Sequence, residues 1–308
     1  MKENKSWICS ENIASQNSIK DRTSWPKITI VTPSFNQAKY LEETIRSVLL
    51  QNYPNLEYII VDGGSTDGSV DIIKKYEKHI SYWVSEPDKG QSDAINKGFK
   101  KATGVYGNWI NSDDLLAYHA LHTLAQHIKK HPSNTVFIGD YIEFHEKTGE
   151  ANRKRSDIRT LEQLVDLKNY WRRPGGNQIG QQATFFPLKL FRAVGGLNEN
   201  NHNTMDYELW GKFLNAGAEI APIHEILGYF RIYPGQKISD WHKQTVSLIN
   251  TAENLIEKAN WTPAEKKSAK KKLRTFKIQY YHGYIRSQIG ARRRFNKLKT
   301  DISRLFQF

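Results

Sequence analysis

KITIVTPSFNQAKYLEETIRSVLLQNYPNLEYIIVDGGSTDGS, residues 27–69, contains two β-branched apolar runs separated by one amphipathic stretch. The first run, KITIVT at 27–32, reads as a buried strand and PSFNQ as the loop that leaves it. In YLEETIRSVLLQ the apolar Leu41, Ile45, Val48 and Leu49 recur at helical spacing. LEYIIVD at 56–62 is a second buried strand. GGSTDGS then makes a turn-rich loop, with Asp67 or Ser69 as the N-cap of a helix over SVDIIKKYEKH.

The unit repeats. SYWVSE predicts a third strand, QSDAINKGFKKA a third helix, YGNWIN a fourth strand, and LLAYHALHTLAQHIKK, from Leu115, a fourth helix. Such alternation predicts an α/β fold with a mostly parallel central sheet flanked by helices. After about residue 135 the rhythm loosens. TVFIGDYIEF reads as a strand or hairpin, residues 152–182 as an irregular insertion around a short helix, and MDYELWGKFLNAG as a helix stopped by Gly217. ILGYFRIYPGQKIS is a strand running into a loop, and helices follow from Asp240. There Leu273, Phe276, Tyr280, Tyr281, Tyr284 and Ile285 form an apolar stripe read as helix packing rather than a ligand platform. The expected divisions are a loosely held arm over 1–26, a main domain over 27–238 with halves 27–134 and 135–238, and a basic helical extension over 239–308.

The chain has 308 residues, a net charge of +13 and a single cysteine, Cys9, which excludes an intrachain disulfide and a cysteine zinc site. From Trp261 onward 14 Lys and Arg face only Glu265 and Asp301, so nearly all of the net charge sits in the last 48 residues. A basic helical tail with interleaved aromatics fits an anionic membrane surface; nucleic acid is not the expected partner, because the basicity is not spread over the fold. No apolar run approaches the roughly 20 residues of a membrane helix, and the first residues lack a secretory apolar stretch. A cytoplasmic protein, attached peripherally to the inner face of the plasma membrane through residues 261–308, is expected.

The strand-to-helix loops carry the chemistry. TPSFNQ, the first, has no glycine for a dinucleotide fingerprint, and no G-x-x-x-x-G-K-[ST] loop occurs anywhere. Asp62 still stands at a strand end, where a carboxylate can read a base or ribose. At 108–114, NWINSDD ends a strand on Asn111, Ser112, Asp113 and Asp114. Either these acids cap the next helix, or one holds a Mg²⁺ or Mn²⁺ that bridges a diphosphate.

Taken together, residues 27–69, EPDKGQSDAINKGFKKATG, WINSDD and MDYELW, in this order and spacing, resemble a family 2 glycosyltransferase with the GT-A fold, over about residues 27–235. The resemblance implies an inverting enzyme that moves a sugar from a nucleoside diphosphate sugar, expected to be a UDP-sugar, to a hydroxyl of a glycan or lipid-linked acceptor in cell-envelope polysaccharide or glycolipid synthesis. It places Thr32, Pro33, Ser34, Asn36 and Asp62 at the nucleotide base, and Lys89, Gly90, Asp93 and Asn96 against the nucleoside. Asn111 stands where the family's D-x-D element usually has its first Asp, near the ribose; Asp113 becomes the ligand of a divalent cation, Mn²⁺ or Mg²⁺, and Asp114 the helix cap. Asp206 takes the role of catalytic base, with Glu208 as second choice. Arg231 and Lys237 are the expected clamps on the diphosphate. Many relatives have His where this chain has Tyr233, which weakens a metal role at that position.

Other features invite roles. His119, His122, His127 and His131 share one predicted helix but have no evident carboxylate or cysteine partner, so they read as solvated helix residues. Trp171, Arg172 and Arg173 stand where an acceptor would enter. Two other classes remain open: a sugar-nucleotide nucleotidyltransferase, which would want a glycine-rich basic first loop, and a non-enzymatic module binding membrane or nucleic acid through its tail.

Overall fold

The structure is a computed structural model and describes residues 25–131, 133–170, 177–236 and 240–305, with side chains as far as residue 289 in the last helix. Four parallel strands open the fold: β1 (Ile28–Ser34), β2 (Leu56–Asp62), β3 (Tyr82–Ser85) and β4 (Tyr106–Trp109). Their order in the sheet is β3-β2-β1-β4, and helices α1 (Ala38–Leu49), α2 (Ser69–Tyr76) and α3 (Gln91–Lys101) connect them. α1 buries Leu41, Ile45, Val48 and Leu49 because their spacing puts all four on one face. α3 lies so close to β1 that a Cβ at Gly98 would run into Val31.

Beyond β4 the sheet becomes mixed. β8 (Thr184–Pro187) runs antiparallel to β4, and β6 (Thr135–His145) antiparallel to β8. β9 (Glu219–Ile232) is parallel to β6, while β7 (Ala151–Lys154) forms a hairpin with β6. The fourth helix is shorter than the periodicity predicts. Leu115 and Leu116 form β5, an antiparallel pair with Tyr229 and Gly228 of β9, and α4 (Ala120–Ile128) begins only after His119, whose φ of 60° breaks the chain direction. Pairing to β9 offers those two leucines backbone partners and full burial, which overrides their helical periodicity.

α5 (Leu161–Val165) and α6 (Leu167–Tyr170) lie in the irregular insertion, α5 starting on a capping box between Thr160 and Gln163. α7 (Leu188–Ala193) and α8 (Met205–Asn215) follow, and α9 (Trp241–Lys258) and α10 (Pro263–Leu305) close the chain. The expected boundary at 238 is not a boundary in packing. Leu248, Ile249, Ala252, Leu255 and Ile256 of α9, with Ala269 and Leu273 of α10, join the core that holds Val31, Trp109, Phe186 and Trp210. Each large side chain so buried stabilises by about 1.5–3 kcal/mol. Gly211 permits the contact, since a Cβ there would occupy the space of Leu255.

The aromatic stripe on α10 packs on α9: the rings of Tyr280 and Tyr284 stack with His242, and Nδ1 of His242 lies 2.8 Å from the Tyr280 hydroxyl. Ile285 is not part of that face. It is 55% exposed, with Ile278 and Ile289 likewise open to solvent. Among the described residues no helix is long and apolar enough to cross a membrane.

Candidate active site

The carboxyl ends of β1, β2 and β4 open into a cleft of about 930 Å³, whose far wall is built by α8, the end of β9 and the start of α9. This is where open α/β sheets place their ligands. Of the residues singled out in the sequence, Pro33, Ser34, Gly90, Asn111, Asp113, Asp114, Asp206 and Tyr233 line it. Thr32, Asn36, Asp62, Lys89, Asp93, Asn96 and Arg231 are not among its lining residues, and their hydrogen bonds explain what they do.

Asp62 is fully buried and accepts four hydrogen bonds: from the amides of Gly64 (3.1 Å) and Ser65 (2.8 Å) and the hydroxyls of Ser65 (2.6 Å) and Ser85 (2.7 Å). A carboxylate so occupied shapes the 63–65 loop instead of presenting itself to a base. Gly63 lines the cleft in its place, beside Phe35, Pro87 and Asp88. A Cβ on Gly63 would come within 2.6 Å of Asp88 Oδ2 and 3.2 Å of the Phe35 ring, so any side chain there would crowd this end of the cleft. Asn36 ties the first two loops together, donating its amide N–H to Ser65 Oγ (2.8 Å) and accepting from the Thr66 amide (2.9 Å). Thr32 is buried against the Tyr58 hydroxyl at 3.0 Å. Asp93 accepts from the Lys89 amide at 3.0 Å, a reach-back bond at the start of α3, and Asn96 clasps the backbone of Leu197 through both ends of its amide.

The 111–114 turn differs most from its sequence reading. Asp114 caps no helix: it is 1% exposed, accepting from the Arg231 amide (3.1 Å) and from Asn111 Nδ2 (3.1 Å). Burial, and after it the neighbouring Asp113 charge, push its pKa well above the usual carboxylate value. Asn111 is fully engaged as well. It accepts from Gln91 Nε2 at 2.7 Å and also donates to Gln181 Oε1 at 3.2 Å. Asp113 is half-buried and faces the cleft; its Oδ2 accepts from the Tyr233 hydroxyl at 2.9 Å. Burial raises the Asp113 pKa, against the opposing pull of that hydroxyl and of Arg231.

Arg231 is not placed to clamp a diphosphate. Its side chain is 1% exposed, its guanidinium lies 4.7 Å from the Tyr40 ring and 4.9 Å from the Phe144 ring, and it pairs with Glu43 at 2.6 Å. Nε donates to the Asp113 carbonyl at 2.9 Å. Arg231 therefore anchors the turn from behind. Lys237, like Trp171, Arg172 and Arg173, lies outside the described residues.

Asp206 opens α8 on the opposite wall, where one of its oxygens accepts from the Tyr207 amide at 2.8 Å and its charge helps raise the pKa values of the buried Tyr141 and Tyr170. Glu208, the second choice for the base, is committed elsewhere: its carboxylate accepts from Asn198 Nδ2 and, at 2.7 Å, from Asn201 Nδ2, holding the loop before α8. Tyr141, Glu143, Tyr170, Phe230 and the rim residue Trp241, which is 49% exposed, complete this side. Ser34 Oγ, Trp109 Nε1 and Gln182 Nε2, all in the cleft wall and buried, have no hydrogen-bond partner among the described residues. Phe35, Gly63, Asp88, Gln91, Gln182 and Trp241 were not picked out from sequence; only the exposed aromatic in the first loop offered a signal.

The oxygens facing the cleft at Asp113 and Gln236 are hard donors. Among the described residues no three His, Cys, Asp or Glu side chains gather to form a closed metal cage. The set fits a divalent cation that draws its remaining ligands from a diphosphate and water. The four histidines at 119–131 build no rival site: His122 packs between Trp25 and Tyr53, and His127 and His131 lie against Phe137.

The sequence model of glycosyl transferase family 2 matches residues 29–189. An uncharacterised glycosyltransferase of Rickettsia typhi is 29% identical over 259 residues, 83% of this chain and 76% of the relative. The putative teichuronic acid biosynthesis glycosyltransferase TuaG of Bacillus subtilis is 43% identical over 98 residues, which are 30% of this chain and 38% of its own. Other Rickettsia relatives are longer, the chain spanning 32% and 28% of two of them. Among solved structures, S. aureus TarS 1–349 in complex with UDP-GlcNAc superposes with a TM-score of 0.62 at 17% identity, over 79% of this chain and 70% of that one. The mannosyltransferase PcManGT from Pyrobaculum calidifontis, in complex with GDP-Man and Mn2+, gives 0.56 at 19% identity, over 87% and 74%. These likenesses give the fold, GT-A, and the family match spans just over half of the sequence: the chain belongs to glycosyl transferase family 2.

Proposed function

We propose that the chain transfers a sugar, with inversion, from a UDP-sugar to a hydroxyl of a glycan or lipid-linked acceptor in cell-envelope polysaccharide or glycolipid synthesis. One observation carries the reading: a single cleft gathers a cation-type carboxylate, Asp113, a base-type carboxylate, Asp206, and three buried polar atoms without partners among the described residues. Unpaired buried donors cost about 1–3 kcal/mol each, which a polar ligand offsets. The UDP-GlcNAc held by TarS and the pathway named for TuaG support the donor class and the setting.

Pro33, Phe35, Gly63 and Asp88 receive the base and Asn111 lies toward the ribose. Asp206 accepts the proton of the acceptor hydroxyl as its oxygen bonds to the anomeric carbon; the anomeric C–O bond to the diphosphate breaks and its electron pair leaves with UDP. A divalent cation, when bound, would be held by Asp113 and would supply positive charge at the leaving diphosphate. Arg231 keeps the Asp113 backbone fixed, and Tyr141 and Tyr170 border the base. Asp206→Asn should abolish transfer while UDP still raises the melting temperature; turnover near wild type would sink the assignment, and activity undiminished after exhaustive EDTA would remove Asp113 from cation binding. A screen of UDP-, GDP- and dTDP-sugars by Mn²⁺-dependent hydrolysis identifies the donor.

The same reading gives α10 a tethering role at an anionic cytoplasmic membrane surface. Ile278, Ile285 and Ile289 are exposed at spacings of seven and four, which sets them on one helix face, and the segment from Trp261 carries most of the net charge.

A further inference from the structure

We propose that Tyr233 gates the cation ligand: its hydroxyl holds the Asp113 carboxylate in the donor-free enzyme and releases it only when the cation arrives with the diphosphate. The inference rests on the reading of Asp113 given above and adds an order of binding to it.

A tyrosine hydroxyl has one proton and an ionised carboxylate has none, so the 2.9 Å contact to Asp113 Oδ2 is a donation by Tyr233. The hydroxyl in turn lies 3.4 Å from Gln37 Nε2, which donates to it, and the ring sits 4.7 Å from that of Tyr40. Tyr233 is thus held on three sides with its proton aimed at Asp113, the more exposed of the two carboxylates of the turn. A cation approaching Oδ2 competes with that proton. A hydrogen bond to a charged acceptor is among the stronger ones, so the competition lowers cation affinity by about tenfold.

The position of Tyr233 also allows release. It is the first residue past β9, and Gly235, two residues on, has φ +89°, a left-handed conformation that glycine adopts without strain. The Gln236 amide donates to the Tyr233 carbonyl at 3.4 Å, a long bond closing a short turn. Gln236 Nε2 donates to the Arg231 carbonyl at 2.8 Å and ties the far end of this turn down, so release is a rotation confined to Tyr233 and its neighbours, while the Arg231 side chain stays fixed to Glu43 and the Asp113 carbonyl. Once free, the same hydroxyl is able to donate to a diphosphate oxygen.

The test titrates Mn²⁺ into the full chain and reads the free ion by electron paramagnetic resonance, with and without UDP, for wild type, Tyr233→Phe and Asp113→Asn. Tyr233→Phe removes only the hydroxyl and retains the ring packing. The expected result is Mn²⁺ binding about tenfold tighter than wild type without UDP, with the difference shrinking to less than threefold when UDP is saturating. Weaker binding in Tyr233→Phe would make the tyrosine a ligand, and unchanged binding would mean that the hydrogen bond does not compete; either overturns the gate. Asp113→Asn separates the layers: if it binds Mn²⁺ with UDP as wild type does, the cation reading of Asp113 has failed.

Discussion

Arg231→Met removes the guanidinium while keeping most of the stem that fills the space between Tyr40 and Phe144. Three interactions go. The pair with Glu43 is the largest: breaking a buried ion pair costs about 3–5 kcal/mol, but the Glu43 side chain is 27% exposed and recovers much of its hydration, leaving about 1–2 kcal/mol. The donation to the Asp113 carbonyl adds about 1 kcal/mol and the two aromatic contacts about 0.5–1 kcal/mol together, part of which the thioether restores. The expected loss is about 3 kcal/mol, which for a chain of this size is a melting temperature lower by roughly 5 °C. Differential scanning calorimetry measures it, and UDP binding by calorimetric titration should weaken only a few fold, because the arginine stands behind the turn. The sequence reading of Arg231 as a diphosphate clamp makes the opposite forecast. A variant that melts within 1 °C of wild type but binds UDP a hundredfold more weakly would refute the anchoring argument.

Glu57 gives a pH test. Burial alone would raise its pKa, yet hydrogen bonds from Lys27, Thr103 and Thr29 hold it down to about 2, against 4.5 when unperturbed. A depressed folded pKa contributes stability above the unfolded value that is lost as pH falls, so about 3 kcal/mol should disappear between pH 4.5 and 2, and Glu57→Gln should flatten that limb in urea titrations at graded pH. For the tail, replacing Ile278, Ile285 and Ile289 together by Ser should abolish sedimentation with vesicles containing anionic lipid while leaving the melting temperature within about 2 °C. Cutting at residue 261 would not be a fair test, since Leu273 and Ala269 belong to the core.

The parallel half of the fold was legible because each strand there is a short apolar run and each helix shows one apolar face, as in α1 with Leu41, Ile45 and Val48. The start of the fourth helix, residues 115–119, was not, because a two-residue strand has no periodicity and what decides it is β9, more than a hundred residues away. The same distance hid the role of Arg231: an arginine near a loop of basic residues looks like a phosphate ligand until Glu43, Tyr40 and Phe144 are seen around it. Asp62 and Asn96 lie on motif positions yet spend their hydrogen bonds on backbone or on neighbouring serines. Motif position marks which loops meet, whereas the direction of each side chain depends on partners that the motif does not contain.

Asp113 and Asp114 show how two adjacent carboxylates divide under that rule. Asp114 turns inward, and its carboxyl oxygens accept from one backbone amide of β9 and from the side-chain amide of Asn111, so it fastens the end of β9 to the end of β4. That bond brings the β9 exit, and with it Tyr233, over the neighbouring acid. Asp113 turns outward, where the Tyr233 phenol and the Gln236 amide, both neutral groups, stabilise the carboxylate without cancelling its charge. A lysine or arginine in the place of Tyr233 would neutralise Asp113 permanently and leave a cation nothing to gain. On the proposed reading the neutral hydroxyl would keep the site anionic, the condition under which a cation and a diphosphate would bind there more tightly together than either does alone.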